Sequence, residues 1–400
     1  MINNDLQRLV EIAHKKEKLV IGLMSGTSLD GLDIALCQII GHGMNTQLQV
    51  LQFASIPYEP EFRNEIQSIF SVRMVDLEKL CLLHAEISNL HARYINSCLQ
   101  KWKIAASEVD LIASHGQTIY HAPKHLHGLP GYGNASLQIG DGDHIAVATG
   151  IITISDFRQK HLAMGAEGAP LAVYGDQFLF GKTGERRVLL NIGGIANYTF
   201  LPGNDEEAIL CTDLGPGNTM MDAFMRMHYP GQYYDNNAEL AKAGNVNEDL
   251  LLDLQSDKFF MAPYPKTTGP ELFSLQYLQS AQKKTGTEDI SPTDCMATLN
   301  KFTANMIVKG IREGINDTSN LTIICSGGGV HNPVLMQNLE NEMKECRFQH
   351  ATELGIDPDA KEAVLFALLA NECISGNAEF IKEGIPGIPA TAMGKISFPH

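Results

Sequence analysis

The chain has no apolar run long enough to cross a bilayer, no Cys-x-x-Cys pair, no Pro-rich linker and few Lys and Arg (30) against its Asp and Glu (46). The first absence argues against a membrane-spanning helix. The last, together with a formal net charge of -16, argues against a general nucleic-acid or anionic-membrane binder, so any anionic ligand must be met by local donors. Eight cysteines are scattered singly, several within apolar runs, where a thiol packs as a small hydrophobe; reduced thiols are expected. The polar stretch from Met1 to Lys18 lacks the apolar core of a signal peptide, and a soluble, cytoplasmic protein is the expectation.

Of the 400 residues, 44% are hydrophobic and 19% charged, with no low-complexity tract, so most of the chain should fold. That length exceeds what one core usually holds, and two domains with a cleft for a small ligand are expected.

Leu19 to Cys37 is two apolar, strand-like runs joined by small, hydroxyl-bearing and acidic residues. Gly26 and Gly31 let backbone approach a ligand, and Ser25, Thr27 and Ser28 offer donors, so the stretch reads as a phosphate-holding hairpin. It carries no Lys or Arg and returns to a strand rather than opening a helix, which excludes a Walker-type loop. Such a cradle needs a cation, and Asp30 or Asp33 is placed to orient a hydrated Mg²⁺. An Asp-Gly hairpin turn without a ligand is the alternative reading.

Further along, Gln47 to Ile56 supplies a strand, and Asp76 to Trp102 has the apolar spacing of a helix. Val109 to Ala113 reads as a buried strand delivering His115 and Gln117 at its C-terminal end, where open α/β sheets place ligand contacts. His121, His125 and His127 follow, with no partner completing a metal-ligand spacing. The apolar run Ile145 to Ile154 leads to Arg158 and a glycine-interrupted loop containing Glu167, before a helix-like segment from Ala172 to Phe180. Arg187 to Phe200 then repeats the opening pattern of strand, glycine turn (Gly193, Gly194) and strand.

Ile209 to Asn218 ends an apolar strand with Asp213 and continues through Gly215 and Gly217, with Asn218 or Thr219 placed to cap a helix. A carboxylate beside a helix N-terminus suits a general base near a transferred phosphoryl group, although an Asp that only caps the turn has the same pattern. After the strand Thr322 to Ser326 come Gly327, Gly328 and Gly329, then Asn332 and a helix-like segment to Glu342; bare backbone there fits an adenine nucleotide. Asp359 to Cys373 reads as an apolar helix with Glu362 in its first turn, where an acid also favours the helix dipole.

Taken in order, Met24 to Gly31, His115 to Thr118, Gln138 to Gly140, Asp156 to Arg158, Gly168 to Leu171, Asn191 to Asn197, Asp213 with Gly215 to Asn218, Lys266 with Thr268 and Gly269, and Gly327 to Gly329 with Asn332 and Pro333 resemble the motifs of the anhydro-N-acetylmuramic acid kinases. The resemblance covers nearly the whole chain. It implies an α/β, two-domain sugar kinase/actin-like (ribonuclease H-like) fold with an interdomain nucleotide cleft. The expected domains are 1–150 plus 385–400, and 151–384. It implies ATP and Mg²⁺ as cofactors, an amino sugar as substrate and a homodimer, in cell-wall recycling. The phosphates would be held by Gly26, Thr27, Ser28, Leu29, Asp30, Gly31, Leu32 and Asp33, approached by Gly193 and Gly194, with the adenosine along Gly327, Gly328, Gly329 and Asn332.

By the same resemblance Asp213 is the catalytic base, activating a water that opens the 1,6-anhydro bond while O6 takes the γ-phosphoryl group. Glu362 is a second candidate near the anhydro ring, Arg158 faces the lactyl carboxylate, and His115, Gln117, Gly215 and Asn218 join the substrate site. The chain departs from the family pattern at Gly165 to Gly168, where Glu167 stands in place of Gln and adds negative charge, and at Leu214 after Asp213, where Thr is common. A kinase of the same fold for another amino sugar, without ring opening, and an ATP-regulated binding module remain alternatives.

Overall fold

The apolar runs flanking the first glycine loop form an antiparallel hairpin, Glu17–Ser25 (β1) against Gly31–Ile40 (β2), with Val20 opposite Cys37 and Met24 opposite Asp33. In the computed structural model, residues 3–26, 29–169, 171–203, 207–269, 271–351, 360–376 and 389–400 are described, so Thr27 and Ser28 lie outside the described residues. The further strands are Gln47–Pro57 (β3), Leu111–Ala122 (β4), Ala135–Ile139 (β5), Thr153–Ser155 (β6), Arg187–Ile192 (β7), Ile195–Leu201 (β8), Leu210–Pro216 (β9), Thr322–Ser326 (β10), Arg347–His350 (β11) and Lys395–Ser397 (β12).

Two sheets result, each within its own unit. The first unit comprises Met1–Leu179 and Asp359–His400, the second Phe180–Pro358. In the first, the strand order is β12-β6-β4-β1-β2-β3, with β5 on the end of β4. β2 runs antiparallel to both of its neighbours, β1 and β3, while β4 pairs parallel with β1 and β6 parallel with β4. The second sheet runs β11-β10-β7-β8-β9, again with three antiparallel strands followed by two parallel ones. The same order in both sheets is the ribonuclease H-like plan of a sugar kinase or actin-like α/β protein.

The central strand β1 is buried on both faces. On one face the helix Leu77–Trp102, started by Asp76 accepting from the Glu78 and Lys79 N–H groups, packs Ile95, Cys98 and Leu99 against Leu23, Ile34 and Leu36. Each such buried aliphatic side chain contributes about 1.5–3 kcal/mol relative to exposure. On the other face the helix Lys361–Ser375 crosses so closely that a Cβ on Gly22 would stand 1.9 Å from the Ala363 carbonyl oxygen. In the second unit the helix Pro292–Gly314 lays Ala304, Ile307 and Ile311 against Val188, Leu190, Tyr198 and Leu214.

Two domain boundaries and one strand end differ from expectation. The boundary expected at 150/151 falls at 179/180, because β6 pairs with both β4 and β12 and so keeps residues 151–179 in the first unit. The second boundary moves from 384/385 to 358/359, since the helix carrying Glu362 lies on β1. The strand expected to stop near Ala113 continues to Ala122 because its distal half pairs with β5. Ile145 to Ile154 is the end of a helix, Gly142–Thr149, followed by β6.

Candidate functional site

In the first unit the loop between β1 and β2 is fastened at both ends. The Gln117 amide donates from Nε2 to the Gly26 carbonyl at 3.1 Å and accepts the Ser25 hydroxyl at 2.5 Å. At the other end the Tyr58 N–H donates to the Asp30 carbonyl at 3.0 Å, and the Tyr58 hydroxyl donates to Ser25 Oγ at 2.8 Å. Behind it, His91 Nε2 lies 2.8 Å from the same hydroxyl. Burial pushes the His91 pKa down to about 3, so the ring is neutral and supports the chain of bonds without charge. Leu29 anchors the loop from within. Its side chain is buried with Ile66, Ile87 and Ile119 although its backbone sits at φ 56°, a left-handed conformation that only such burial sustains.

These bonds revise two expectations. Ser25, which the sequence places as a donor to a ligand, turns its buried hydroxyl to Gln117 and the Gly31 carbonyl. Gln117 was read as a substrate contact, but it is 0% exposed and its amide supports the loop. Tyr58 and His91 carried no motif and escaped the sequence reading; apolar neighbours hide a polar side chain whose role depends on distant partners.

Beside this loop lie Asp33, Arg158 and Glu362. Arg158, in the first turn of the helix Phe157–Ala163, donates from Nε to His115 Nε2 at 2.9 Å and from Nη1 to the Gly168 carbonyl at 2.6 Å. Burial lowers its pKa and the charge of Glu362 opposes the drop. His115 is buried, with its pKa pushed down to about 3, first by burial and then by Arg158. It supports Arg158 from behind rather than meeting a ligand. The Glu362 side chain is open to solvent yet ringed by protein atoms. That burial raises its carboxyl pKa, Asp33 raises it further, and Arg158 and Lys361 oppose. A carboxyl raised by burial and by a neighbouring carboxylate, beside an arginine, holds its proton more tightly than an ordinary Glu. In the neighbouring glycine-interrupted loop, Glu167 lies 3.0 Å from His125 Nδ1.

The second unit holds Asp213 at an irregularity in β9, where the register against β8 shifts so that Asn197 faces Asp213 and Ala196 faces Gly215. Such bulges redirect side chains. Here Leu214 turns into the core while Asp213 stays part-exposed. The Asp213 N–H donates to the Lys266 carbonyl at 2.9 Å, and Oδ2 accepts the Thr268 N–H at 2.8 Å. Burial raises the carboxyl above its ordinary range, and the Thr268 bond opposes the rise by favouring the anion. A carboxylate so balanced is suited to accept a proton.

The glycine turns of this unit interlock. The Gly193 carbonyl accepts the Asn218 N–H at 2.8 Å, and the Gly194 carbonyl accepts the Gly217 N–H at 2.8 Å. A Cβ on Gly217 would lie 2.2 Å from the Gly193 oxygen. Gly327 and Gly329 back onto Ile192, where a Cβ would meet atoms at 2.7 Å and 2.3 Å; a Cβ on Gly328 would meet Asn218 Nδ2 at 3.5 Å. Asn218 stands at the start of the helix Thr219–His228 but makes no side-chain cap. Its amide donates to the Ile192 carbonyl at 3.3 Å instead. Gly215, at φ 137°, abuts Phe260. Asn332 caps the helix Pro333–Glu342 by accepting the Leu335 N–H, and also accepts from Asn300, so its Oδ1 is committed to structure.

Glycine turns at strand ends and perturbed carboxylates on a doubled sheet of this order are the parts of a phosphotransferase. A family model described as anhydro-N-acetylmuramic acid kinase matches residues 18–397. A protein of Pseudoalteromonas atlantica named anhydro-N-acetylmuramic acid kinase is 49% identical, with both chains covered in full. The protein of that name from Pseudoalteromonas translucida is 48% identical over 98% of each chain, and that from Caldanaerobacter subterraneus is 38% identical over 98% of this chain and 100% of its own. The chain belongs to the anhydro-N-acetylmuramic acid kinase family.

Proposed function

We propose that this chain converts 1,6-anhydro-N-acetylmuramic acid, water and ATP to N-acetylmuramic acid 6-phosphate and ADP, in cell-wall recycling. The observation that supports it best is Asp213, a part-exposed carboxylate re-aimed by a strand bulge and held by one backbone N–H. Asp213 takes a proton from the water whose oxygen bonds to C1. The C1–O6 bond breaks, O6 bonds to the γ-phosphorus, and ADP departs, so the charge freed by ring opening is consumed by phosphoryl transfer. Glu362 accepts a hydrogen bond beside the ring, and Arg158 meets the lactyl carboxylate with its remaining N–H groups. His115 fixes that arginine.

Gly26, Leu29, Asp30, Gly31, Leu32 and Asp33 frame the triphosphate, with Gly193 and Gly194 as a second backbone approach and Gly328 along the adenosine. Among the described residues no three His, Cys, Asp or Glu side chains converge on one point, and the raised Glu362 beside Asp33 is a pair that a nearby cation would relieve. That donor set fits Mg²⁺ held by one carboxylate, waters and phosphates. Bound there, Mg²⁺ would neutralise charge developing on the phosphates. The protein acts in the cytoplasm as a homodimer.

The test is mass spectrometry of the product made in ¹⁸O-water. One labelled oxygen at C1 is expected, and an unlabelled product would point instead to simple phosphorylation of another amino sugar. Asp213→Asn should lower kcat by about 10²–10⁴ with ATP affinity near wild type; retained turnover would remove Asp213 from the role of base.

A further inference from the structure

Lys266 is 8% exposed, yet no carboxylate pairs with its ammonium among the described residues. Nζ donates to the Phe259 carbonyl at 3.1 Å and the Ala262 carbonyl at 3.5 Å. It also lies 4.8 Å and 4.2 Å from the ring centres of Phe259 and Tyr264. Burial lowers its pKa, Glu313 opposes and Lys309 adds. Burying a cation with carbonyls and rings alone is costly, so the arrangement calls for a reason.

The backbone supplies one. The Lys266 N–H donates to Thr212 Oγ1 at 2.9 Å, and its carbonyl accepts the Asp213 N–H at 2.9 Å and the Thr212 hydroxyl at 3.1 Å. Two residues on, the Thr268 N–H reaches Asp213 Oδ2. Of the cage, Phe259 lies in the turn Lys258–Met261 and Ala262 directly follows it, and Phe260 of that turn packs beside Gly215. The Lys266 side chain thus ties the segment bonded to residues 212 and 213 to a turn seated against Gly215, in the same irregular stretch of β9.

We propose that Lys266 is a positioning residue. Its caged ammonium holds residues 264–268 across β9, keeps the Thr268 N–H on the Asp213 carboxylate and thereby sets the pH at which Asp213 releases its proton. The kinetic part of this inference rests on Asp213 being the base; the titration part does not. Burial raises the Asp213 carboxyl and the Thr268 N–H opposes the rise. Around Lys266 the titratable groups are Glu313, Lys309 and Tyr264, whose hydroxyl lies 3.4 Å from Glu313 Oε2.

The experiment follows the carboxyl ¹³C shift of Asp213 in the full-length protein, assigned by its loss in Asp213→Asn, alongside kcat against pH. Loss of a bond that favours the anion raises the pKa. In Lys266→Met the Asp213 titration and the acidic limb of kcat should both move up by about one pH unit, with KM for the sugar little changed. Lys266→Arg keeps the cation and should restore most of the wild-type profile. Tyr264→Leu, which removes one face of the cage, should shift the titration the same way and serves where Lys266→Met does not accumulate folded. An Asp213 carboxyl that titrates at the wild-type pH in the folded variants overturns the proposal. A moved carboxyl with an unmoved acidic limb upholds the role of Lys266 and sinks the reading of Asp213 as base.

Discussion

Arg158 Nε and His115 Nε2 are 2.9 Å apart, and His115 Nδ1 lies 2.9 Å from the Gly116 carbonyl. The guanidinium only donates, so Nε2 accepts and Nδ1 carries the proton, which fixes one neutral tautomer. A protonated ring would lose its bond to Arg158 and confront a positive charge.

Three such rings make the first unit sensitive to acid. Burial pushes the pKa of His91 and His115 down to about 3 and that of His161 to about 4. The folded state leaves them neutral while the unfolded chain protonates them near pH 6.5, so stability falls as pH drops from about 6.5 toward 4. Each ring contributes roughly 1.4 kcal/mol per pH unit in that window. Thermal unfolding measured from pH 8 to pH 5 should show the midpoint falling steeply below pH 6.5. A flat midpoint would contradict the buried neutral state.

The strap beneath the first loop predicts a split in kinetic constants. Tyr58→Phe keeps the ring but leaves Ser25 Oγ and His91 Nε2 without the bridging hydroxyl, at a cost of about 1–3 kcal/mol. KM for ATP should rise about fivefold while KM for the sugar stays level, as steady-state kinetics with each substrate varied will show.

Gly217 is the tightest of the interlocked turns of the second unit. Gly217→Ala places a methyl group 2.2 Å from the Gly193 oxygen, a clash of backbone on backbone that only movement of the turn relieves. Loss of at least 2 kcal/mol of stability is expected, read by denaturant unfolding; a variant as stable as wild type would show the turn to be pliant.

Glu167 and His125 are solvent-accessible, and pairs of that kind contribute at most about 1 kcal/mol. Glu167→Gln should leave the melting temperature within about 1 °C and lower KM for the anionic sugar about twofold, because one like charge is removed. An increase in KM would assign Glu167 a favourable contact instead.

Much of the architecture was legible because it is periodic. The β1–β2 and β7–β8 hairpins and the helix after Asp76 each carry their pattern within one stretch of chain. Long-range pairing was not legible. Nothing in Thr153, Ile154 and Ser155 announces partners at residues 112–114 and 395–397, and so the boundary near 150 was misplaced. The helix Pro292–Gly314 was passed over although Ser291 caps it and Pro292 opens it, since Thr and Asn interrupt its apolar face. Asp213 and Glu362 stand out in the sequence as acids at a strand end and in a helix's first turn, but the direction of a hydroxyl or an amide depends on what packs behind it. Ser25 and Gln117 were therefore assigned outward when both face in.

The second unit is one unbroken stretch of chain, whereas the first is assembled from both sides of it. During synthesis, residues 180–358 are complete before the helix bearing Glu362 has been made. The opening hairpin must wait with the far face of β1 uncovered until that helix docks on Gly22, and β6 until β12 arrives.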